Sequence, residues 1–316
     1  GSLFEIHENE FVEMTDCSIT IANSMRRQEV YAFDVVTDRG VLPRQRRGLS
    51  DSDELPLVRL KLNNVTVRGQ MTMLHMDYAA QLLFSWENGL LAISDRMIDT
   101  AGARQKPVVD AQPIALTLTR VTAHAPKGIV RMRVGVGGAY PLVIDRTASN
   151  SVFVVDPDVP HFEVAGLPSL DIPSPLLQLH GTSNAYAVDP SLDDQILRLA
   201  TFEGEAEVTS MSDLVMAPPL WADESSPRWS VNWSAEGGLS SDPEHQRSPA
   251  DYRQEAGAAA GFDEKYLPSV RALESVLGRD NSPTAGRLQW LDTNDEDLSR
   301  LRLSPKNATF RIESKG

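Results

Sequence analysis

Apolar and polar residues alternate in short runs through the first two-thirds of the chain. In the run VTVRGQMTM, residues 65–73, one side of an extended strand carries only valine, glycine and methionine. The runs PIALTLTRVTA and GIVRMRVGV repeat this period of two, and no helix of convincing length separates them. The pattern predicts about eight to ten strands between residues 17 and 208.

Turn signals between the runs indicate how the strands pair. The run AQLLFSW is followed by Asn88-Gly89, a dipeptide that favours a tight hairpin. We therefore expect an all-β fold: a jelly-roll sandwich of about eight antiparallel strands over residues 17–210, after an N-terminal arm over residues 1–16. The predicted interior contains Ile19, Ile21, Val67, Met71, Met73, Leu82, Phe84, Leu116, Leu118, Val130, Met132 and Val134.

Residues 211–316 differ in composition and are rich in Pro, Ser, Gly, Ala and acidic residues. This composition predicts an extended C-terminal extension, with a short helix near residues 268–278 in the run LPSVRALESVLGR. Indoles and the apolar face of a short helix usually bury against another surface, so six residues are candidates for assembly contacts. They are Trp221, Trp229, Trp233, Val270, Leu273 and Leu277.

The charge balance narrows the classes of partner. The 316 residues include 30 Lys and Arg against 44 Asp and Glu, a formal net charge of −14. This excess of acid argues against direct binding of naked nucleic acid or of an anionic membrane. No apolar run is long enough to span a membrane, and the start GSLFEIHENEFVE lacks the pattern of a signal peptide.

Motifs of enzyme chemistry are missing from the sequence. There is no phosphate-binding loop, GxSxG, HExxH or CxxC motif, and none of the six histidines lies close to another His or Cys. The single cysteine, Cys17, follows Asp16 and has no basic neighbour that would activate its thiol. We therefore expect no catalytic residue, no cofactor and no metal site.

Two stretches resemble coat proteins of picorna-like viruses. VTVRGQMTMLHMDYAAQLLFSWENG is similar to the middle of their jelly roll, with Arg68-Gly69 opening a strand. Val67 stands where those proteins have an aromatic residue, and Ala80 stands where they have a glycine. LPSVRALESVLGR is similar to the SLRxLLxR helix beside those jelly rolls. The likeness is to plant secovirids of the waikavirus or torradovirus type, and to insect iflaviruses and dicistroviruses.

The resemblance implies a structural subunit of an icosahedral capsid that encloses single-stranded RNA. Such a subunit is cut from a polyprotein and is not an enzyme. Its partners would be related jelly-roll subunits and genomic RNA held without a basic arm, with no membrane. It would reside in the virion, and in the host cytoplasm during assembly. Residues 211–316 would then strap over neighbouring subunits or form a projection.

Other functions fit parts of the sequence. NGLLAISDRM resembles the strand of plant-virus movement proteins that ends in Asp-Arg, here Asp95-Arg96, although a strand-end ion pair or a turn is the simpler explanation of these residues. A secreted carbohydrate-binding β-sandwich would use Trp221, Trp229 and Trp233 as stacking platforms. A β-rich scaffold segment is a further alternative, and an enzyme has the least support.

Overall fold

The computed structural model describes residues 1–7, 10–23, 29–36, 55–106, 113–135, 138–170, 176–187, 195–210, 223–225, 227–234, 239, 241–255, 258, 260–268, 300–303 and 309–310. These residues form an all-β protein, which confirms the predicted class. The strands are β1 (Ser2–His7), β2 (Phe11–Thr15), β3 (Ser18–Ile21), β4 (Tyr31–Val36), β5 (Leu57–Gly69), β6 (Thr72–Met76), β7 (Gln81–Ile93), β8 (Ile98–Ala101), β9 (Ile114–His124), β10 (Val130–Arg133), β11 (Ile144–Ser149), β12 (Val152–Val154), β13 (Phe162–Leu167), β14 (Leu177–Thr182), β15 (Ala185–Tyr186), β16 (Gln195–Thr201), β17 (Ala206–Ser210), β18 (Asp223–Ser225), β19 (Arg300–Leu303) and β20 (Thr309–Phe310). Two short 3-10 helices span Pro249–Tyr252 and Glu264–Tyr266.

The described strands wind as a parallel β-helix. From β1 to β14, a strand of the first sheet is followed in each coil by a strand of the second sheet, and the next coil pairs with both in parallel. The first sheet has the order β1-β4-β6-β8-β10-β13-β16-β17, and the second has the order β18-β14-β11-β9-β7-β5-β2-β19. Among the described strands, every pair is parallel except β16 with β17.

One left-handed residue in each coil bends the second sheet into two faces. The register of the neighbouring strands aligns these residues, which are Asp16, Asn64, Asn88, Arg120, Asn150 and Ser183, with φ between 49° and 55°. A single left-handed residue turns a strand without reversing its direction. The segments before these residues form the second face, and the segments after them form the third face.

The antiparallel arrangement of the predicted jelly roll is not observed, because the described strands pair in parallel. Asn88-Gly89 lies inside β7 instead of between two strands. A two-residue type I′ hairpin needs positive φ at both central residues, and only Asn88 has it. The dipeptide therefore bends the chain onto the third face, and β7 continues in the same direction.

The run at residues 65–73 also divides between two faces. β5 ends at Gly69 and β6 begins at Thr72, so the predicted single strand is two strands of different sheets. Gly69 has φ of 125°, and a Cβ atom there would lie 1.9 Å from the carbonyl oxygen of Ile21. The glycine thus permits a close approach of the two backbones.

Residues 1–7 and 10–16, predicted as an N-terminal arm, contribute β1 and β2 to the first coil instead. β1 pairs with β4, and β2 pairs with β5. Ile6, Val12 and Met14 are buried, because the apolar positions of these two short strands face the interior. On the other side of this coil, β19 pairs with β2 and β20 pairs with β3.

The interior of the coils is mostly apolar. All twelve residues of the predicted interior are buried, which confirms them as core. Arg146 and Glu224 are also buried there, with 2.8 Å between Nη2 and Oε2 and each side chain 1% exposed. Glu224 belongs to β18, which adds to β14 at the last coil. No helix of the described chain is long and apolar enough to cross a bilayer.

After β18 the chain runs back over the third face. Ala260 packs in a cluster with Val152, and Leu267 packs with Leu90, which lies nearer the N-terminal end of the coils. Asp263 and Asn88 exchange two hydrogen bonds, from Asp263 N to Oδ1 at 2.6 Å and from Nδ2 to Asp263 O at 3.1 Å. The described residues of 229–268 are named the strap.

Candidate functional site

A line of ionisable side chains crosses the outer face of the first sheet. Its members occupy one register position in successive strands from β1 to β16, and each is flanked along its strand by inward-facing residues. They are Glu5, Asp34, His75, Asp99, Arg131, Glu163 and Arg198. Because paired strands lie about 4.8 Å apart, the residues form a regular row, named the outer row.

The N-terminal half of the outer row contains an imidazole between two carboxylates. Nδ1 of His75 lies 2.9 Å from Oδ1 of Asp34, and Nε2 lies 3.3 Å from Oδ1 of Asp77. Arg133 reaches the same Nε2 with Nη2 at 3.3 Å, and its Nε donates to Oδ1 of Asp99 at 2.9 Å. These five residues are named the histidine cluster.

The geometry of the histidine cluster gives the two ring nitrogens different partners. A neutral His75 ring that donates from Nδ1 to Asp34 can accept at Nε2 from Arg133. Once protonated, Nε2 becomes a donor, and Asp77 is then its nearest acceptor. His75 is buried, whereas the Asp77 side chain is 77% exposed. A proton can thus pass between a fixed imidazole and a solvent-facing carboxylate.

Tyr31 forms one wall of the histidine cluster. Its ring stacks on the His75 ring, with 4.1 Å between centroids and 4° between planes. Partial burial, followed by the negative charges of Glu29, Asp34, Asp77 and Asp99, raises the pKa of the Tyr31 hydroxyl to about 12. Tyr31 therefore keeps its proton at neutral pH and presents a neutral hydroxyl beside the carboxylates.

Arginines dominate the next part of the outer row. Glu163 lies 3.7 Å from Arg96, 3.4 Å from Arg131 and 3.4 Å from Arg198, so one carboxylate faces three guanidinium groups. The side chains of Arg131 and Arg198 are 38% and 43% exposed. These four residues, named the arginine cluster, carry more positive than negative charge on an otherwise acidic protein.

Comparison of the chain with protein-family models, curated proteins and solved structures found no match. The site is therefore interpreted from its own geometry. Within the part of the chain that the structure describes, no three His, Cys, Asp or Glu side chains are grouped so that they could hold a metal ion.

Two of the predicted assembly residues pack on the protein itself. Trp229 lies against Tyr186, with 5.7 Å between ring centroids. Trp233 meets Tyr252 edge-on at 6.0 Å. Neither indole belongs to the outer row. The predicted helix near 268–278 falls beyond the described residues except at Pro268, as do Trp221, Val270, Leu273 and Leu277.

The sequence singled out Asp95-Arg96 but missed the residues of the outer row. Asp95 and Arg96 follow β7 and form an ion pair at 3.4 Å, which confirms the simpler of their two interpretations. His75 gave no signal in the sequence, because no other His or Cys is near it and its partners Asp34 and Arg133 are distant in sequence. Only the register of the coils brings these residues together. The repeated Asn and Asp residues at the bends were the one sequence signal of that register.

Proposed function

We propose that this protein binds an extended, negatively charged polysaccharide along the outer row and hydrolyses its glycosidic bonds at the histidine cluster. The observation that carries the proposal is the His75 imidazole, held between the carboxylates of Asp34 and Asp77 on an accessible sheet face. The comparisons support no particular function, so the proposal depends on this geometry alone.

The shape of the site favours a long ligand. A coil that repeats about every 4.8 Å presents its side chains in a straight line, which suits a polymer with repeating units better than a compact metabolite. The outer row extends from Glu5 to Arg198 and passes through both clusters. A chain that lies along it would contact the histidine cluster and the arginine cluster together.

The histidine cluster has the groups that glycoside hydrolysis requires. A proton must be given to the leaving oxygen, and a proton must then be taken from the attacking water. His75 and Asp77 lie 3.3 Å apart and can share one proton, so in the proposal they act as a single acid–base unit: exposed Asp77 gives its proton to the leaving oxygen and regains one from the water that follows. Asp34 and Asp99 act as positioning residues, since they hold His75 and Arg133 in place.

The arginine cluster indicates the charge of the ligand. A guanidinium binds carboxylate and sulfate groups through paired hydrogen bonds. Arg131 and Arg198 are exposed enough to bind such groups on a sugar while they remain near Glu163. The net charge of −14 opposes long-range attraction to any polyanion, so the proposed contact depends on these arginines at short range.

The fold changes the support for each function that was predicted from the sequence. The capsid subunit stays a prediction, but a parallel β-helix gives it no jelly roll as support. The carbohydrate-binding alternative agrees with the proposal in ligand class, although the proposed ligand face is the outer row and not the tryptophans. The movement-protein alternative also stays a prediction. It depended on Asp95-Arg96, and the ion pair between these two residues gives it no specific support.

The test is the release of reducing ends from three polymers: a polyuronate, a sulfated glycosaminoglycan and a neutral glucan. We expect cleavage of a charged polymer and a loss of about 100-fold in Asp77→Asn, typical of a lost acid or base. The pair Arg131→Gln and Arg198→Gln should raise KM more than it lowers kcat. Glu13→Gln is the matched control, because Glu13 pairs with the exposed Lys61 of the second sheet. No cleavage of any polymer, or equal activity in Asp77→Asn and Glu13→Gln, would contradict the proposal.

A further inference from the structure

The strap covers outward positions of the third face that are unusually polar for a buried interface. Thr66, Thr122 and His124 face outward beside the apolar Leu90 and Ala92, as the strand register requires. All five residues are buried. Tyr252 packs on His124 with 5.6 Å between ring centroids, and Gly261 lies over Thr122.

Several polar atoms of this interface have no hydrogen-bond partner. Oγ1 of Thr66, Oγ1 of Thr122 and Nδ1 of His124 are buried and unpaired in the described structure. Buried polar atoms in permanent interfaces are almost always paired, since an unpaired atom loses its hydrogen bonds to water without replacement. Closure of the strap over these atoms therefore costs free energy. This cost would be removed if the strap opened and the atoms formed hydrogen bonds with water.

Hydrogen bonds from three coils attach the strap, beside the apolar packing of Tyr252, Ala260 and Leu267. The amide of Gly261 donates to the carbonyl of Asn150 at 2.7 Å, and the amide of Asp263 donates to the side chain of Asn88 at 2.6 Å. Arg68 donates to the carbonyl of Arg247. These contacts could break without disturbing the parallel ladders beneath them, since each joins the strap to the outside of a coil.

We propose that the strap is a reversible cover of the third face and that protonation of His124 releases it. The inference does not depend on the proposed polysaccharide hydrolysis. His124 lies at the end of β9, directly under Tyr252, so a charge on its ring would be enclosed between the sheet and the strap.

The surroundings of His124 disfavour its charged form while the strap is closed. Burial, with a smaller contribution from the positive charge of Arg247, lowers the pKa of His124 from 6.5 to about 4. Tyr252, the other titratable group packed on the ring, has its pKa raised by burial to about 12 and stays neutral. Within the strap, burial and then the charge of Arg68 also lower the pKa of His245, with Glu244 acting in the opposite direction.

The direction of the pH effect follows from these shifts. The open form binds a proton at His124 below about pH 6.5, whereas the closed form resists it down to about pH 4. Acidification within this window therefore favours opening. From pH 7.5 to pH 5.0 the ratio of open to closed strap should rise roughly 25-fold through His124 alone.

The test is hydrogen exchange of the full chain at pH 7.5 and pH 5.0, with exchange times scaled for the intrinsic pH dependence of the rate. The reporters are the amides of Gly261 and Asp263, and the reference is the amides of β7 and β9. We expect the reporters to exchange faster at pH 5.0 while β7 and β9 stay protected. His124→Gln should remove most of this acceleration, and His180→Gln, at a half-exposed histidine, should leave it unchanged.

A second variant opens the strap without a change of titratable groups. An alanine Cβ at Gly261 would lie 3.0 Å from Thr122 Oγ1, and its φ of 99° would be strained. Gly261→Ala should therefore expose the reporters at both pH values. Gly204→Ala is its control, because Gly204 has a similar φ of 94° and no atom within 4 Å of its Cβ position. Equal reporter exchange at both pH values, the same acceleration in His124→Gln, or joint loss of protection in β7 and β9 would overturn the proposal.

Discussion

Nδ1 of His75 lies 2.9 Å from Oδ1 of Asp34, and the two residues face each other across the neighbouring strands β4 and β6. Their side chains are 8% and 20% exposed. The pairing fixes one ring nitrogen against the sheet, so the other is directed to Asp77 and Arg133. The reactive geometry of the proposed site therefore depends on a residue that need not touch the substrate.

Asp34→Asn tests this dependence. An amide in place of the carboxylate can satisfy Nδ1 only in part and removes the charge that steadies a protonated ring. We expect kcat to fall about 10–100-fold with KM nearly unchanged, and the unfolding midpoint in denaturant to move little. Glu13→Gln, far from the outer row, should change neither. A rise in KM at constant kcat would show that Asp34 binds substrate and does not position His75.

The buried ion pair of Arg146 and Glu224 makes the last coil sensitive to substitution. Arg146 also donates to the Tyr186 hydroxyl at 2.7 Å, so its removal leaves a carboxylate buried with fewer partners. We expect Arg146→Met to lower the free energy of unfolding by about 3–5 kcal/mol. The double variant Arg146→Met/Glu224→Leu should recover most of this loss in denaturant titrations.

The exposed charge pair of Lys61 and Glu13 provides the control for Arg146→Met. Lys61 is 52% exposed and pairs with Glu13 at 3.1 Å, so Lys61→Met should cost less than about 1 kcal/mol. If Arg146→Met were as mild as Lys61→Met, the closure of the last coil by β18 would not depend on the buried pair.

Arg120 is an irregular member of the row of left-handed bend residues. Nδ2 of Asn64 donates to Asp16 at 2.8 Å, and Nδ2 of Asn88 donates to Asn64 at 2.9 Å, whereas Arg120 is exposed at a φ of 54°. Asparagine tolerates this conformation better than arginine. We expect Arg120→Asn to raise the free energy of unfolding by about 0.5–1 kcal/mol, measured in denaturant. A loss of stability would show that asparagine is not preferred over arginine at this bend position.

Stability should fall in acid through His161. Burial, and then the positive charge of Arg146, lower the pKa of His161 from 6.5 to about 3 in the folded protein. A neutral histidine that is protonated only on unfolding stabilises the fold above pH 6.5, and this stability is lost as the pH falls towards 3. The midpoint of denaturant unfolding should decline between pH 7 and pH 4.

Variants of two histidines isolate that effect. In His161→Phe, the free energy of unfolding should fall less between pH 7 and pH 4 than in wild type, by a few kcal/mol at most. In His180→Gln, the fall should equal that of wild type. An equal decline in wild type and His161→Phe would assign the acid sensitivity to other groups.

The sequence predicted strand positions and core residues better than it predicted pairing. The period of two in PIALTLTRVTA identified Ile114, Leu116 and Leu118 as interior positions, because burial on one side of a strand is a local property. The same period serves parallel and antiparallel strands. The choice between them depended on the backbone of Asn88, whose single positive φ bends the strand without reversing it.

The candidate site was harder to predict because its residues recur at unequal intervals. Asp34 and His75 are 41 residues apart, a separation that no short motif captures. Histidine spacing along the chain gave no sign of a cluster, since Asp34 and Arg133 contact His75 from other coils. The strand register of the first sheet places Asp34 and Asp99 beside His75. That register depends on the bends of the second sheet, which set the length of each coil.

Carboxyl footprinting tests most directly whether the outer row is the ligand face. The full chain is labelled with a carbodiimide and an amine, with and without a polyuronate, then with a sulfated glycosaminoglycan, and each labelled carboxylate is read by mass spectrometry. The account predicts that a charged polymer lowers the labelling of Asp77 and Asp99 and leaves that of Glu13 and Glu87, on the second face, unchanged. Unaltered labelling of Asp77 with every polymer, or protection confined to Glu13 and Glu87, would contradict it.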